Sequence, residues 1–226
     1  LLRLITEDLT YAVARGVPVA ALTASEGSLY CRLVFRPATS LRRLLVRTDQ
    51  RFALRSPADG GSVELVEPAE AWPTVEALYA RHHATTRGSV GRPHFYQAIL
   101  TARFDWDERS PDHKLRTAVH LDVDGNPDGY VAYKHAGEVD GRSTMQVVDL
   151  VALTDRAHLR LWRFLADLDL VEQVRFDKAS VVDPLEWALV EPRVVRTDRL
   201  GDHLWVRVLD VVVALEARPW SADGDV

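Results

Sequence analysis

Tyr30 closes the run Pro18-Val19-Ala20-Ala21-Leu22-Thr23-Ala24-Ser25-Glu26-Gly27-Ser28-Leu29-Tyr30, in which an apolar stretch leads straight into a helix start. The first backbone N–H groups of a helix have no partner within it, so such a corner suits an anion or the polar groups of a thioester. Tyr30 falls one turn inside that helix. A phenol, with a reference pKa of ~10, can give its proton to a departing thiolate. The same residues also describe an ordinary strand–loop–helix corner with a packed tyrosine.

Other chemical candidates have simpler explanations. His82 and His83 are neighbours in sequence, and adjacent helix positions are ~100° apart, so the two rings do not face one ion. His158 lies in a Trp-bearing helix and is expected to be packed and hydrogen-bonded. Asp122-Val123-Asp124-Gly125-Asn126 has something of a calcium loop but lacks its closing Glu, and turn chemistry accounts for it. Cys31 is the single cysteine, so an intramolecular disulfide and a cysteine-based zinc site are excluded. No metal is expected. Arg42, Arg43 and Arg47 suggest a solvated strand edge.

The elements that must position Tyr30 follow from periodicity. Leu2, Ile5, Leu9 and Val13 repeat as one helical face over residues 1–15, with Gly16 as its C-cap. Residues 17–22 are too short and apolar for a helix and predict a strand buried on both faces. Thr23 and Glu26 fit a capping box, with Ser25 as a competing N-cap, for a helix over 26–34. A strand is expected at 40–46 and a turn-rich linker at 55–61. Beyond it, strands are expected at 62–66, 116–123, 129–135, 144–152, 171–176 and 204–208. Helices are expected at 69–83, from Arg92-Pro93 onward, at 154–169, after Asp183-Pro184 and at 210–217. The helix at 154–169 is apolar on more than one face, which predicts packing between layers. The whole is α/β (α+β), with a mixed, mainly antiparallel sheet in the second block.

Composition narrows the function classes. The 226 residues are 47% hydrophobic, enough for a real core. Net charge is −5, against a nucleic-acid binder working by bulk charge. No apolar run approaches the ~18 residues of a membrane span, and no basic-then-apolar leader is visible. These features predict no nucleic acid and no membrane as partners, and the single cysteine permits a reducing cytoplasm, the location expected.

The run PVAALTASEGSLYCRLVFRPAT resembles the acetyltransferase corner of the Eis (enhanced intracellular survival) family of GNAT N-acetyltransferases. The likeness continues through Gly61-Ser62-Val63, Glu76-Ala77-Leu78-Tyr79 and Gly91-Arg92-Pro93. It extends through Ala157-His158, Leu161-Trp162-Arg163, Asp183-Pro184-Leu185 and Leu204-Trp205-Val206-Arg207 to Ala214-Leu215-Glu216-Ala217-Arg218. It covers about residues 1–220.

The resemblance implies N-acetyl transfer from acetyl-CoA, the cosubstrate, to a small-molecule primary amine of the aminoglycoside or lysine type. It places Tyr30 as the general acid, Ser25 and Glu26 at the acetyl-CoA-contacting corner, and Leu1, Leu2 and Arg3 at the tail of the pyrophosphate loop. It implies a homo-oligomer in the full-length protein. The family's base, the terminal carboxylate of a sterol-carrier-like domain, has no match here, so Val226 receives no role. Residues 1–50 correspond to the C-terminal half of a GNAT acetyltransferase domain, 51–61 to a linker, 62–217 to a second GNAT-like domain and 218–226 to a tail. The motif order, with Met145 the sole methionine, implies a part of a longer protein. Cys31, Val34 and Arg36 stand where the family usually has Gly, and Thr23 where it often has an aromatic ring. Those departures keep a second reading open, a non-catalytic GNAT-derived binding or regulatory module.

Overall fold

The computed structural model describes residues 2–56 and 60–218. In chain order the elements are α1 (Leu2–Ala14), β1 (Val19–Thr23), α2 (Gly27–Cys31), β2 (Arg36–Pro37), β3 (Ser40–Arg47), β4 (Ser62–Val66), α3 (Pro68–Thr85) and α4 (Phe95–Leu100). There follow β5 (Arg116–Leu121), β6 (Pro127–Val139), β7 (Arg142–Ala152), α5 (Asp155–Ala166), β8 (Gln173–Ala179), α6 (Leu185–Ala188), β9 (Val195–Asp202), β10 (Leu204–Val208) and α7 (Val211–Glu216). The chain forms two compact units, Leu1–Ser40 with Gly201–Val226, and Leu41–Leu200.

The larger unit is built on a seven-stranded sheet of order β4-β5-β6-β7-β8-β3-β9. Pairs β4/β5, β5/β6, β6/β7 and β3/β8 are antiparallel, and β7/β8 is parallel, bridged by α5. The middle of the sheet is covered on both faces, and β6 shows it residue by residue. Tyr130 and Ala132 pack with Ala71, Val75 and Leu78 of α3. Val131 and Tyr133 pack with Leu161, Trp162 and Leu165 of α5. Side chains alternate along a strand, so a continuous apolar run is what a doubly covered strand requires. Turn chemistry joins β5 to β6: Asp122 Oδ1 accepts the N–H groups of Asp124 and Asn126 at 2.9 and 2.8 Å.

Three expectations are corrected in this unit. Helix α5 buries Ala157, Leu161, Trp162, Leu165 and Ala166 but leaves Arg156 exposed and Arg163 half-buried. It lies on one sheet face rather than between layers, with Arg156 on its open side. Strand β3 is no solvated edge. It sits between β8 and β9, and Arg42 gives two hydrogen bonds to Glu186, at 2.8 and 3.1 Å. Part of the 51–61 segment is packed: Phe52 is buried and Leu54 bridges Leu189.

The smaller unit has a three-stranded sheet of order β1-β10-β2. Strand β10 pairs antiparallel with both, Ala21 facing Val206 and Pro37 facing Trp205. Its residues therefore join the first forty residues instead of the block that precedes them in sequence. Strand β1 alternates exposed and half-buried residues, so the expectation of burial on both faces is also corrected. It pairs with β10 alone among the described strands, and only Ala20 and Leu22 turn into the local core. That core is small. Leu9, Leu33, Phe35 and Trp205 are buried, while Leu2 and Val13 of the expected helical stripe remain exposed.

Val34 takes φ +64°, whereas Cys31 and Arg36 keep ordinary backbone angles. Of the three positions where Gly was expected, this one needs left-handed backbone. Its N–H bonds to the Cys31 carbonyl at 3.0 Å, closing the turn after α2. A side chain there costs ~1–2 kcal/mol, partly offset in glycine by lost chain entropy. Val34→Gly is expected to stabilise the protein by about 0.5–1 kcal/mol in urea unfolding. An equal or lower midpoint would contradict the strain.

Candidate functional site

The corner around Tyr30 is fixed by Trp205. At Gly27, the first residue of α2, an added Cβ would stand 2.8 Å from Trp205 Cη2 and 3.0 Å from Cζ2. Only glycine lets the helix start so close to the indole. The indole is buried, and its Nε1–H donates to Asp202. Arg207 Nη1 donates to the Leu33 carbonyl at 3.0 Å, and Arg36 Nη1 to those of Cys31 and Phe35 at 3.2 and 2.8 Å. The turn after α2 is pinned by two N–H groups, Leu33 and Phe35, on the Tyr30 carbonyl at 3.0 and 3.1 Å.

Tyr30 is half-buried, its ring edge-on to Phe35 with centroids 6.3 Å apart. Ile5, Leu9, Leu22 and Ala24 share the cluster. Among the described residues its hydroxyl has no hydrogen-bond partner. The ring is thus held while the proton-bearing end remains available.

The other anticipated residues are placed as follows. Ser25 and Glu26 are exposed and precede α2 directly. Glu26 is the N-cap residue, yet it makes no capping hydrogen bond; it accepts one from Ser28 Oγ at 2.9 Å. Neither the Thr23–Glu26 capping box nor the Ser25 cap forms. The first N–H groups of α2 are thus left without a side-chain acceptor. Leu2 and Arg3 lie on exposed positions of α1, with Arg3 paired to Glu7 at 2.8 Å. Leu1 lies outside the described residues. Gly27, Trp205 and Arg207 were not singled out for this corner. A glycine at a helix start was the one available signal for close approach.

Several titratable groups of the larger unit are held in hydrogen-bonded networks. Arg92 bonds Asp149 Oδ2 at 2.5 Å and Tyr130 Oη at 2.7 Å, and its guanidinium lies 3.6 Å from the Tyr79 ring centroid. Burial pushes the Tyr130 phenol well up, and Asp149 adds to it. His158 Nε2 lies 3.0 Å from Asp183 Oδ1 and 3.1 Å from Trp162 Nε1. Burial pushes the Asp183 carboxyl up, but the His158 hydrogen bond and charge outweigh it, and the net shift is downward. Lys134 joins the buried Asp105 and Asp112. Among the described residues no group of three or more His, Cys, Asp or Glu could hold a metal ion, and no helix is long and apolar enough to cross a membrane.

The profile of the acetyltransferase (GNAT) domain matches residues 88–208. This chain belongs to the GNAT acetyltransferase family. It is similar to N-acetyltransferase Eis of Mycobacterium tuberculosis H37Ra, at 36% identity over 98% of this chain and 54% of the relative. An uncharacterized N-acetyltransferase of Streptomyces avermitilis is 33% identical over 99% of this chain and 55% of its own. The crystal structure of Eis1 from Mycobacterium abscessus superimposes with a TM-score of 0.80 at 32% identity, over 96% of this chain and 54% of that one. The chain spans about half the length of the curated relatives it matches.

Two outcomes test the networks. Arg92→Met leaves a buried carboxylate unpaired and is expected to cost about 3–5 kcal/mol in chemical denaturation; a loss below about 1 kcal/mol would refute the pairing. The folded pKa of Asp183 is depressed, so its contribution is present above the unfolded carboxylate pKa and fades as pH falls through the folded value. Asp183→Asn should therefore destabilise the protein at neutral pH and flatten the acid limb of its stability profile. A parallel offset at every pH would contradict the linkage.

Proposed function

We propose that this chain carries part of the site that transfers an acetyl group from acetyl-CoA to a primary amine, with Tyr30 as general acid. The observation that carries the proposal is the half-buried Tyr30 with an unengaged hydroxyl, one turn into a helix whose start has no side-chain cap. Acetyl-CoA, when bound, supplies the activated acyl group. The chain's own work is to hold the thioester's polar atoms near the uncapped N–H groups beside Ser25 and Glu26, and to present a proton where the thiolate departs. Leu1, Leu2 and Arg3 would guide the phosphates. Such catalysis rests on positioning and on donors aimed at developing charge, with no covalent intermediate on the protein. The family resemblance supports aminoglycosides or lysine-type amines as substrates, a cytoplasmic setting and a homo-oligomer. The strained Val34 supports the rival, a non-catalytic module.

Thiol release from acetyl-CoA with a panel of primary amines tests the activity. Tyr30→Phe should lower turnover about a hundredfold with an unchanged melting temperature. Unchanged turnover would remove Tyr30 from the acid role. No release with any amine, together with no saturable acetyl-CoA binding by calorimetry, would favour the module.

A further inference from the structure

A cavity of about 620 Å³ opens in the larger unit, and none of its residues belongs to the Tyr30 corner. Its volume is in the range of small-molecule sites, roughly 300–1,000 Å³. Three arginines line it: Arg55 after β3, and Arg156 and Arg160 on α5. The last two are four residues apart and share one helical face. Leu54, Val123 and Trp187 supply an apolar wall, and Trp187 is 81% exposed.

The charge of this cavity is out of balance. Elsewhere in the unit Arg42, Arg43, Arg92, Arg163 and Arg175 each meet a carboxylate. Arg55, Arg156 and Arg160 have no side-chain partner among the described residues, and no Asp or Glu of those residues lines the cavity. The Arg160 Nε is buried without a hydrogen bond. Arg156 occupies the first turn of α5, where the helix dipole already disfavours a cation. In a chain of net charge −5, three guanidiniums without a side-chain partner line one cavity. Each cost is removed by one oxyanion, which a guanidinium can bind through two parallel hydrogen bonds.

We propose that this cavity binds a small organic oxyanion, a carboxylate or phosphate monoester bearing an aromatic or branched apolar group. The guanidiniums take the anionic end, and Leu54, Val123 and Trp187 take the apolar end.

Calorimetric titration of the full chain with 1-naphthyl phosphate, 1-naphthoate, 1-naphthol and inorganic phosphate tests it. One or both naphthyl anions should saturate with one site, quench the exposed indole, and weaken as salt rises. The neutral naphthol and the bare phosphate should each bind about tenfold more weakly. The two anion arms separate phosphate from carboxylate recognition. Arg156→Gln with Arg160→Gln should lower affinity by about tenfold or more. Trp187→Ala should abolish the quench. Circular dichroism checks folding. If the Arg160 variant does not fold, Arg55→Gln with Arg156→Gln, both at exposed positions, carries the same expectation. Absence of saturable binding by either anion, equal binding of naphthol, or unchanged affinity in the arginine variants would overturn the proposal.

Discussion

The pairing of β10 between β1 and β2 is the constraint on which the Tyr30 corner depends. It brings residues 204–208 against residues 19–23 and 36–37. Leu22 and Trp205 face each other in this register, which sets the indole beneath the start of α2. Gly27 permits that approach, Asp202 satisfies the indole N–H, and Arg207 ties down the Leu33 carbonyl. Without the strand, β1 would have no described neighbour and Tyr30 no Trp205 in its cluster. A one-residue slip would turn Trp205 to the opposite face, since side chains alternate along a strand.

The larger unit solves a different problem. The central strands of its sheet are buried on both faces, so polar groups there must find partners or impose a penalty. Arg92, Tyr130 and Asp149 close one such group, and His158, Asp183 and Trp162 another. Both lie within the framework, although the single His158 Nε2 serves either the Asp183 carboxylate or the Trp162 N–H. The arginine-lined cavity differs because three guanidiniums without a side-chain partner line it, and no Asp or Glu among the described residues does.

The departures around the Tyr30 corner show how far a family pattern tolerates change. Cys31 and Arg36 occupy ordinary backbone, so their side chains meet no conformational objection. Val34 does occupy left-handed backbone, and the residue is 61% exposed, so the cost is conformational and not one of crowding. The turn forms regardless, because the Tyr30 and Cys31 carbonyls collect three N–H groups from Leu33, Val34 and Phe35.

Much of the fold was legible in the sequence because periodicity and caps act locally. The strands at 62–66 and 204–208 have the expected bounds, and Thr154 caps α5 through the Ala157 N–H as an N-cap residue should. Tyr30, its place one turn into a helix and the family likeness were also in the sequence. What sequence periodicity could not give was the partner of each face. The apolar run of β1 looked doubly buried, yet it lies at the edge of its sheet. Arg42 looked like surface charge, yet it pairs with a residue far along the chain. Strand β10 looked like the close of the second block, yet it completes the first. Local patterns report how a segment prefers to bend and which side it prefers to hide. Only long-range pairing decides what covers that side, and so only the tertiary structure set Trp205 beneath Tyr30's helix and gathered Arg55, Arg156 and Arg160 around one cavity.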